Sequence, residues 1–120
     1  MAPKQFAFPK SRRLVRSSEF ERVKANGRVE RGHLLLLSVL ATKESSPFRA
    51  GFITSRALGS AVARNRVRRR LREIVRKHQG EILGGRWIVT IARTNAAKAD
   101  YHQLEAEWLR LAGRASILSA

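Results

Sequence analysis

The segment Gly59-Ser60-Ala61-Val62-Ala63-Arg64-Asn65-Arg66-Val67-Arg68-Arg69-Arg70-Leu71-Arg72-Glu73-Ile74-Val75-Arg76-Lys77-His78 sets the frame for the rest of the chain. Gly59-Ser60 supplies a turn and an N-cap, and neither Gly nor Pro recurs until Gly80, so a helix is predicted from Ala61 to about His78. Val67, Leu71, Ile74, Val75 and His78 fall on one stripe of that helix and must face a core. The rest of its circumference is basic, with six arginines in the nine positions from Arg64 to Arg72. At 100° per residue, Arg68, Arg72 and Arg76 form one ridge, Asn65 and Arg69 a second, and Arg66, Arg70 and Lys77 a third. Glu73 alone offers local charge balance, and so dense a cation cluster repels itself unless a polyanion meets it. Each guanidinium fork can donate two parallel hydrogen bonds to a phosphate, and Asn65 can donate and accept at a base edge or a 2′-OH.

Downstream, Gly84-Gly85 closes a loop, and Arg86-Trp87-Ile88-Val89-Thr90-Ile91-Ala92 has the β-branched and aromatic bias of a buried strand. A last helix is predicted from about Ala99 to Leu111, packing through Tyr101, Leu104, Trp108 and Leu111. Upstream, Phe48–Thr54 alternates Phe48, Ala50 and Phe52 against Arg49, Gly51 and Ile53, as a strand does. The nearly continuous apolar run His33–Leu40 reads as a strand covered on both faces, with a helix as the open alternative. The polar turn 41–47 between these two runs makes them expected antiparallel partners. Nearer the start, Ser18 and Glu21 have capping-box spacing for a short helix through Ala25, stopped at Asn26-Gly27 by residues that tolerate positive φ. The expected fold is therefore α/β, a two-layer sandwich of order α-β-β-β-α-β-α in which one of the three early strands has no assigned residues.

The whole chain, 1–120, is the size of one domain, and 43% hydrophobic residues suffice for its core. Twenty-five Lys and Arg against nine Asp and Glu give a net charge of +16, which a folded domain must carry on its surface as the partner of a polyanion. Residues 1–11 are expected to form a flexible basic arm. The absence of cysteine excludes disulfides, thiolate metal sites and Cys nucleophiles. No apolar run approaches the roughly 20 residues of a membrane span, and the expected location is the cytoplasm, with no membrane partner. His33, His78 and His102 share no metal-ligand spacing, and the scattered acids suggest no paired carboxylates for a protein-borne nuclease centre. Trp87 and Trp108 are read as fillers of apolar faces.

The segment Gly59–Glu73 resembles the signature of the bacterial ribonuclease P protein component, in which an Arg-Asn-Arg helix follows a Gly-x-Ala-Val turn. The resemblance extends to Arg12-Arg13-Leu14-Val15-Arg16-Ser17-Ser18-Glu19-Phe20-Glu21-Arg22-Val23, to Gly51-Phe52 with Ser55-Arg56, and to Trp87–Arg93. It implies a sandwich with a left-handed βαβ crossover, similar to a domain of ribosomal proteins and translocation factors. It also implies a protein subunit that is not itself the catalyst. Such a subunit binds a catalytic RNA, and the pair removes the 5′ leader of precursor tRNA using Mg²⁺ held mainly by the RNA, with no protein partner required.

Carried over residue by residue, the RNA-binding set is Arg64, Asn65, Arg66, Arg68, Arg69 and Arg72. The leader-binding set is Phe20, Lys24, Arg16 and Phe52. No residue is assigned a catalytic role, and none is assigned to a metal. Lys24 stands where relatives often have a second aromatic, Leu37-Ser38 where a third is often found, Arg56-Ala57 in place of paired lysines and Ser60 in place of an asparagine. Leader contacts are thus expected to lean on Lys24 and Arg16 more than on stacking. For Phe20, core packing is an equal alternative to leader contact; for Phe52 it weighs more. A ribosomal-type structural RNA binder shares the charge and size and remains the competing function. A DNA regulator is third, disfavoured because Lys77-His78-Gln79-Gly80 ends the helix where a dimerising zipper would begin.

Overall fold

The computed structural model describes residues 10–42 and 46–119. Three helices, α1 (Ser17–Asn26), α2 (Ala61–Lys77) and α3 (Tyr101–Arg114), combine with strands β1 (Arg28–Arg31), β2 (Leu35–Ala41), β3 (Arg49–Ile53) and β4 (Arg86–Ala92). The order is the expected α-β-β-β-α-β-α, and the unassigned strand is the short, charged β1. The strands lie in the order β1-β2-β4-β3. Strand β4 runs antiparallel to β2, with Val39 opposite Ile88, and parallel to β3, with Gly51 opposite Val89. β3 is therefore not the antiparallel partner of β2. Helix α2 provides the long connection that two adjacent parallel strands require, and β4, whose Ile88, Val89 and Thr90 are all buried, takes the centre.

Side chains alternate across this sheet to serve two cores. Leu35, Leu37, Val39, Ala50, Ile88 and Ala92 face α2 and α3, where they meet Val67, Leu71, Ile74, Leu104, Trp108 and Leu111. Trp108 is fully buried, and its indole N–H donates to Thr90 Oγ1 (3.1 Å). On the opposite face α1 lays Val23 against Val89 and Leu14, with Phe20, Ile53, Trp87 and Ile91 half-buried around them. The two tryptophans thus fill opposite faces, and Trp87 is clasped by the guanidinium groups of Arg22 and Arg49, 5.1 and 5.3 Å from its ring centre. Helix α1 also begins and ends differently from expectation. Glu19, rather than the Ser18/Glu21 pair, accepts from the backbone N–H of Val15 (2.9 Å) and Arg16 (3.0 Å). Gly27 has an extended backbone (φ −82°), and glycine is needed there because a Cβ would lie 2.4 Å from the Val23 carbonyl oxygen.

Of the expected arm 1–11, residues 1–9 lie outside the described residues, as do 43–45 of the polar turn. Lys10–Arg12 form a 3-10 turn held to the body, with Arg12 donating to Gln79 Oε1 (3.1 Å) and lying 5.1 Å over the Phe48 ring. Among the described residues no helix is long and apolar enough to cross a membrane.

At the end of α2, His78 is wedged between Glu81 (2.9 Å) and Glu105 (2.8 Å), with Lys77 also on Glu105 (3.0 Å). Burial disfavours the imidazolium, but the hydrogen bonds and charges of Glu81 and Glu105 outweigh it and hold the pKa above 6.5. A raised folded pKa gives stability that is present below the unfolded value and lost as pH rises through the folded one. Thermal melts of wild type and His78→Gln should therefore differ most below pH 6.5 and converge at higher pH. A constant gap would overturn the assignment of the charge to His78.

Candidate nucleic-acid interface

The basic helix is built as its sequence dictates. Gly59 turns the chain with φ 125°, a conformation costly for residues with a Cβ, and Ser60 Oγ accepts from the Ala63 N–H (3.1 Å), capping α2. Val67, Leu71, Ile74 and Val75 are buried against the sheet, which turns the arginines outward. Arg76 pairs with Glu73, and Arg70 donates to the Ala99 carbonyl (2.9 Å). Among the described residues no carboxylate pairs with Arg64, Arg66, Arg68, Arg69 or Arg72. Arg68 is instead positioned by neutral acceptors, donating to Asn65 Oδ1 (3.2 Å) and to Thr54 Oγ1 at the end of β3.

Beside this face an open groove of about 350 Å³ runs between α1 and the end of β3, beyond the point where the Arg13-Leu14 segment pairs with Ala50 on the strand's outer edge. Val15, Phe20, Phe52 and Ile53 form its apolar lining, Lys24 stands on one wall, and Arg68 reaches in from α2. A smaller adjoining hollow is bordered by Phe20, Phe52, Arg68 and Arg72. The Phe20 ring owes its place to Gly51, since a Cβ there would lie 2.5 Å from two ring carbons. Helix α1 is clamped above the groove by Glu19, which pairs with Arg49 on β3 (2.6 Å). Burial pushes the Glu19 pKa up, but the backbone N–H groups of Arg16 and Val15 and the Arg49 guanidinium outweigh it and hold the carboxyl below 4.5.

Three of the four expected leader residues, Phe20, Lys24 and Phe52, therefore share one groove. Arg16 does not line it; it is exposed at the start of α1, between the lining residues Val15 and Ser17. Phe20 and Phe52 are each half-buried, packing against a core and also bordering the groove, so core packing does not remove either ring from the groove. Sequence reasoning missed Val15, 74% exposed on the groove, Thr54 as the partner of Arg68, and the continuity of the groove with α2 through Arg68 and Arg72. The exposure of Val15 has no sequence signal. The signal that could have been read is Gly51 inside a strand, which often marks a close approach, though not to what.

A model of the ribonuclease P family matches residues 8–116. The ribonuclease P protein component of Acidothermus cellulolyticus is 43% identical over 108 residues, covering 88% of this chain and 89% of the relative. That of Symbiobacterium thermophilum is 38% identical over 109 residues, 91% of this chain and 95% of the relative. Among solved structures, the Staphylococcus aureus RNase P protein matches with a TM-score of 0.85 at 27% identity, covering 92% of this chain and all of that one. The Thermotoga maritima RNase P protein matches at 0.76 and 25%, covering 85% of this chain and 96% of that one. The architecture is that of the solved bacterial RNase P proteins. This chain belongs to the ribonuclease P protein family.

Proposed function

We propose that this chain is the protein subunit of a ribonuclease P ribonucleoprotein, binding the catalytic RNA through Arg64, Asn65, Arg66, Arg68, Arg69 and Arg72 and the 5′ leader of precursor tRNA in the α1–β3 groove. The observation that carries this reading is the continuity of the two surfaces. A face of arginines without carboxylate partners suits the phosphates of a folded RNA, while a groove with aromatic and aliphatic lining, where Lys24 and Arg68 outnumber the one acid Glu21, suits a single strand. Arg68 and Arg72 stand where the two meet, so leader and catalytic RNA are held side by side and the leader's exit from the cleavage site is fixed. The polypeptide thereby raises substrate affinity and leaves the hydrolytic step to the RNA. In this scheme Mg²⁺ is held mainly by the RNA, whose phosphate oxygens are the hard ligands that ion prefers.

The test is single-turnover cleavage of a precursor tRNA by a bacterial ribonuclease P RNA at low Mg²⁺, with and without the protein. Stimulation is expected. Its absence, with tight binding to ribosomal RNA instead, would identify a structural RNA binder on the same fold. Within this scheme, Phe20→Ala should leave RNA assembly within about twofold while weakening precursor-tRNA binding about 5- to 100-fold, the range for loss of one stacked base. Gly51→Ala should reproduce part of that loss by displacing the ring. If Phe20→Ala weakens assembly as much as substrate binding, the division into two ligand surfaces is wrong.

A further inference from the structure

A second hollow, of about 550 Å³, lies on the flank of α2 away from the groove, bordered by Arg66, Arg69, Arg70, Glu73 and Tyr101. Its size falls within the ~300–1,000 Å³ of small-ligand sites and is ample for one nucleotide. The lining combines three guanidinium groups with one carboxylate, and Glu73 is occupied by Arg76. Arg70 is fixed by its bond to the Ala99 carbonyl, which holds α2 against the start of α3, whereas Arg66 and Arg69 are exposed and have no carboxylate partner among the described residues. Tyr101, the first residue of α3, is the chain's single tyrosine. It is half-buried against the main core, and its hydroxyl makes no hydrogen bond with the described residues. An amphipathic ring with an unused hydroxyl beside two unpaired guanidinium groups has the composition of a base-stacking and phosphate-clamping site.

We propose that this hollow receives one unstacked nucleotide of the RNA bound by α2, its base against the Tyr101 ring and its flanking phosphates on Arg66 and Arg69. The inference rests on the catalytic-RNA reading above and extends that interface from α2 onto α3. Phosphate contacts alone fix register without discriminating nucleotides, whereas a base taken into a pocket requires an unpaired nucleotide at one place in the RNA. The hollow thus makes recognition depend on RNA shape as well as charge.

The experiment measures the affinity of the full-length protein for a bacterial ribonuclease P RNA across a salt series, alongside the cleavage assay. Tyr101→Ala and Tyr101→Leu should each weaken binding about 5- to 100-fold with an unchanged salt slope, because a stacked base and no phosphate contact is lost. Tyr101→Phe should restore most of the affinity. Arg66→Ala and Arg69→Ala should each reduce the slope by about 1. Chemical probing of the RNA backbone should show one nucleotide whose reactivity changes between wild type and Tyr101→Leu. The proposal is overturned if Tyr101→Leu binds like wild type, or if its loss comes with a reduced salt slope, which marks a merely structural role in placing the arginines. If wild type itself neither binds this RNA nor stimulates cleavage, the functional reading fails and the proposal with it. Stimulation by wild type with unaltered binding by Tyr101→Leu sinks the proposal alone.

Discussion

Replacing Arg64, Arg66, Arg69 and Arg72 together by glutamine is expected to lower affinity for a ribonuclease P RNA by about three powers of ten at low salt, with the salt slope falling by about four. No carboxylate among the described residues neutralises these four side chains, so their field is directed outward from the helix. Neutralising several phosphates releases as many condensed counterions, so the loss should shrink steeply as salt rises from about 50 to 200 mM. Glutamine is shorter but keeps the unbranched start of the side chain and a similar helix propensity, and removing like charges from one face relieves self-repulsion, so thermal stability should be unchanged or slightly higher. A control removes the same four charges elsewhere, at the exposed Arg31, Arg93, Lys98 and Arg114. It separates this local face from the net charge of +16 and should cost no more than about tenfold. If both sets weaken binding equally, the protein is held by diffuse charge and α2 is no interface.

The ease with which α2 could be read follows from its being local. The cap at Ser60, the apolar stripe and the arginine ridges all lie within one continuous segment, and helical periodicity converts their spacing directly into faces. Strand neighbours are a different matter. Alternation in Phe48–Thr54 reveals which residues share a face but carries no information on which strand lies beside it, and proximity in the chain favoured β2. The physical discriminator was burial on both faces. Ile88, Val89 and Thr90 in succession are fully buried and belong in the centre, whereas Arg49 and the half-buried Phe52 suit an edge. The short charged β1 reads as an edge only once a sheet exists to have one. The groove was legible residue by residue, through Phe20, Lys24 and Phe52, and illegible as a whole because three separate segments build it. Its junction with α2 depends on Arg68 reaching Thr54, a contact between residues that no local period relates.

Glu107 illustrates the same limit and carries the second large effect. In the sequence it is one more acid on the surface of a helix; in the fold it is buried, only 7% exposed, beneath the β1–β2 connection. Its Oε2 accepts from the backbone N–H of Leu34 (2.6 Å) and Leu35 (2.7 Å), while Oε1 accepts from Arg110 (3.0 Å). Two backbone donors at the entry to β2 are thus satisfied by a side chain 72 or more positions away. Glu107→Ala strands both, and should cost about 3–5 kcal/mol, because bonds to an ionised acceptor are worth about 1.5–3 kcal/mol each and water recovers part of the loss. For a domain of this size that is a fall of roughly 10–20 °C in Tm. Glu107→Gln keeps an oxygen for the two N–H groups and should lose about half as much. Gly32 supplies an internal check, since a Cβ there would lie 2.4 Å from Glu107 Oε2. Gly32→Ala should therefore destabilise the wild-type protein by displacing the carboxylate, yet cost much less in the Glu107→Ala background, where the clash is gone. Denaturant melts of the two single variants and the double variant measure this coupling. Strict additivity would mean that Glu107 is not what holds the β1–β2 connection in place.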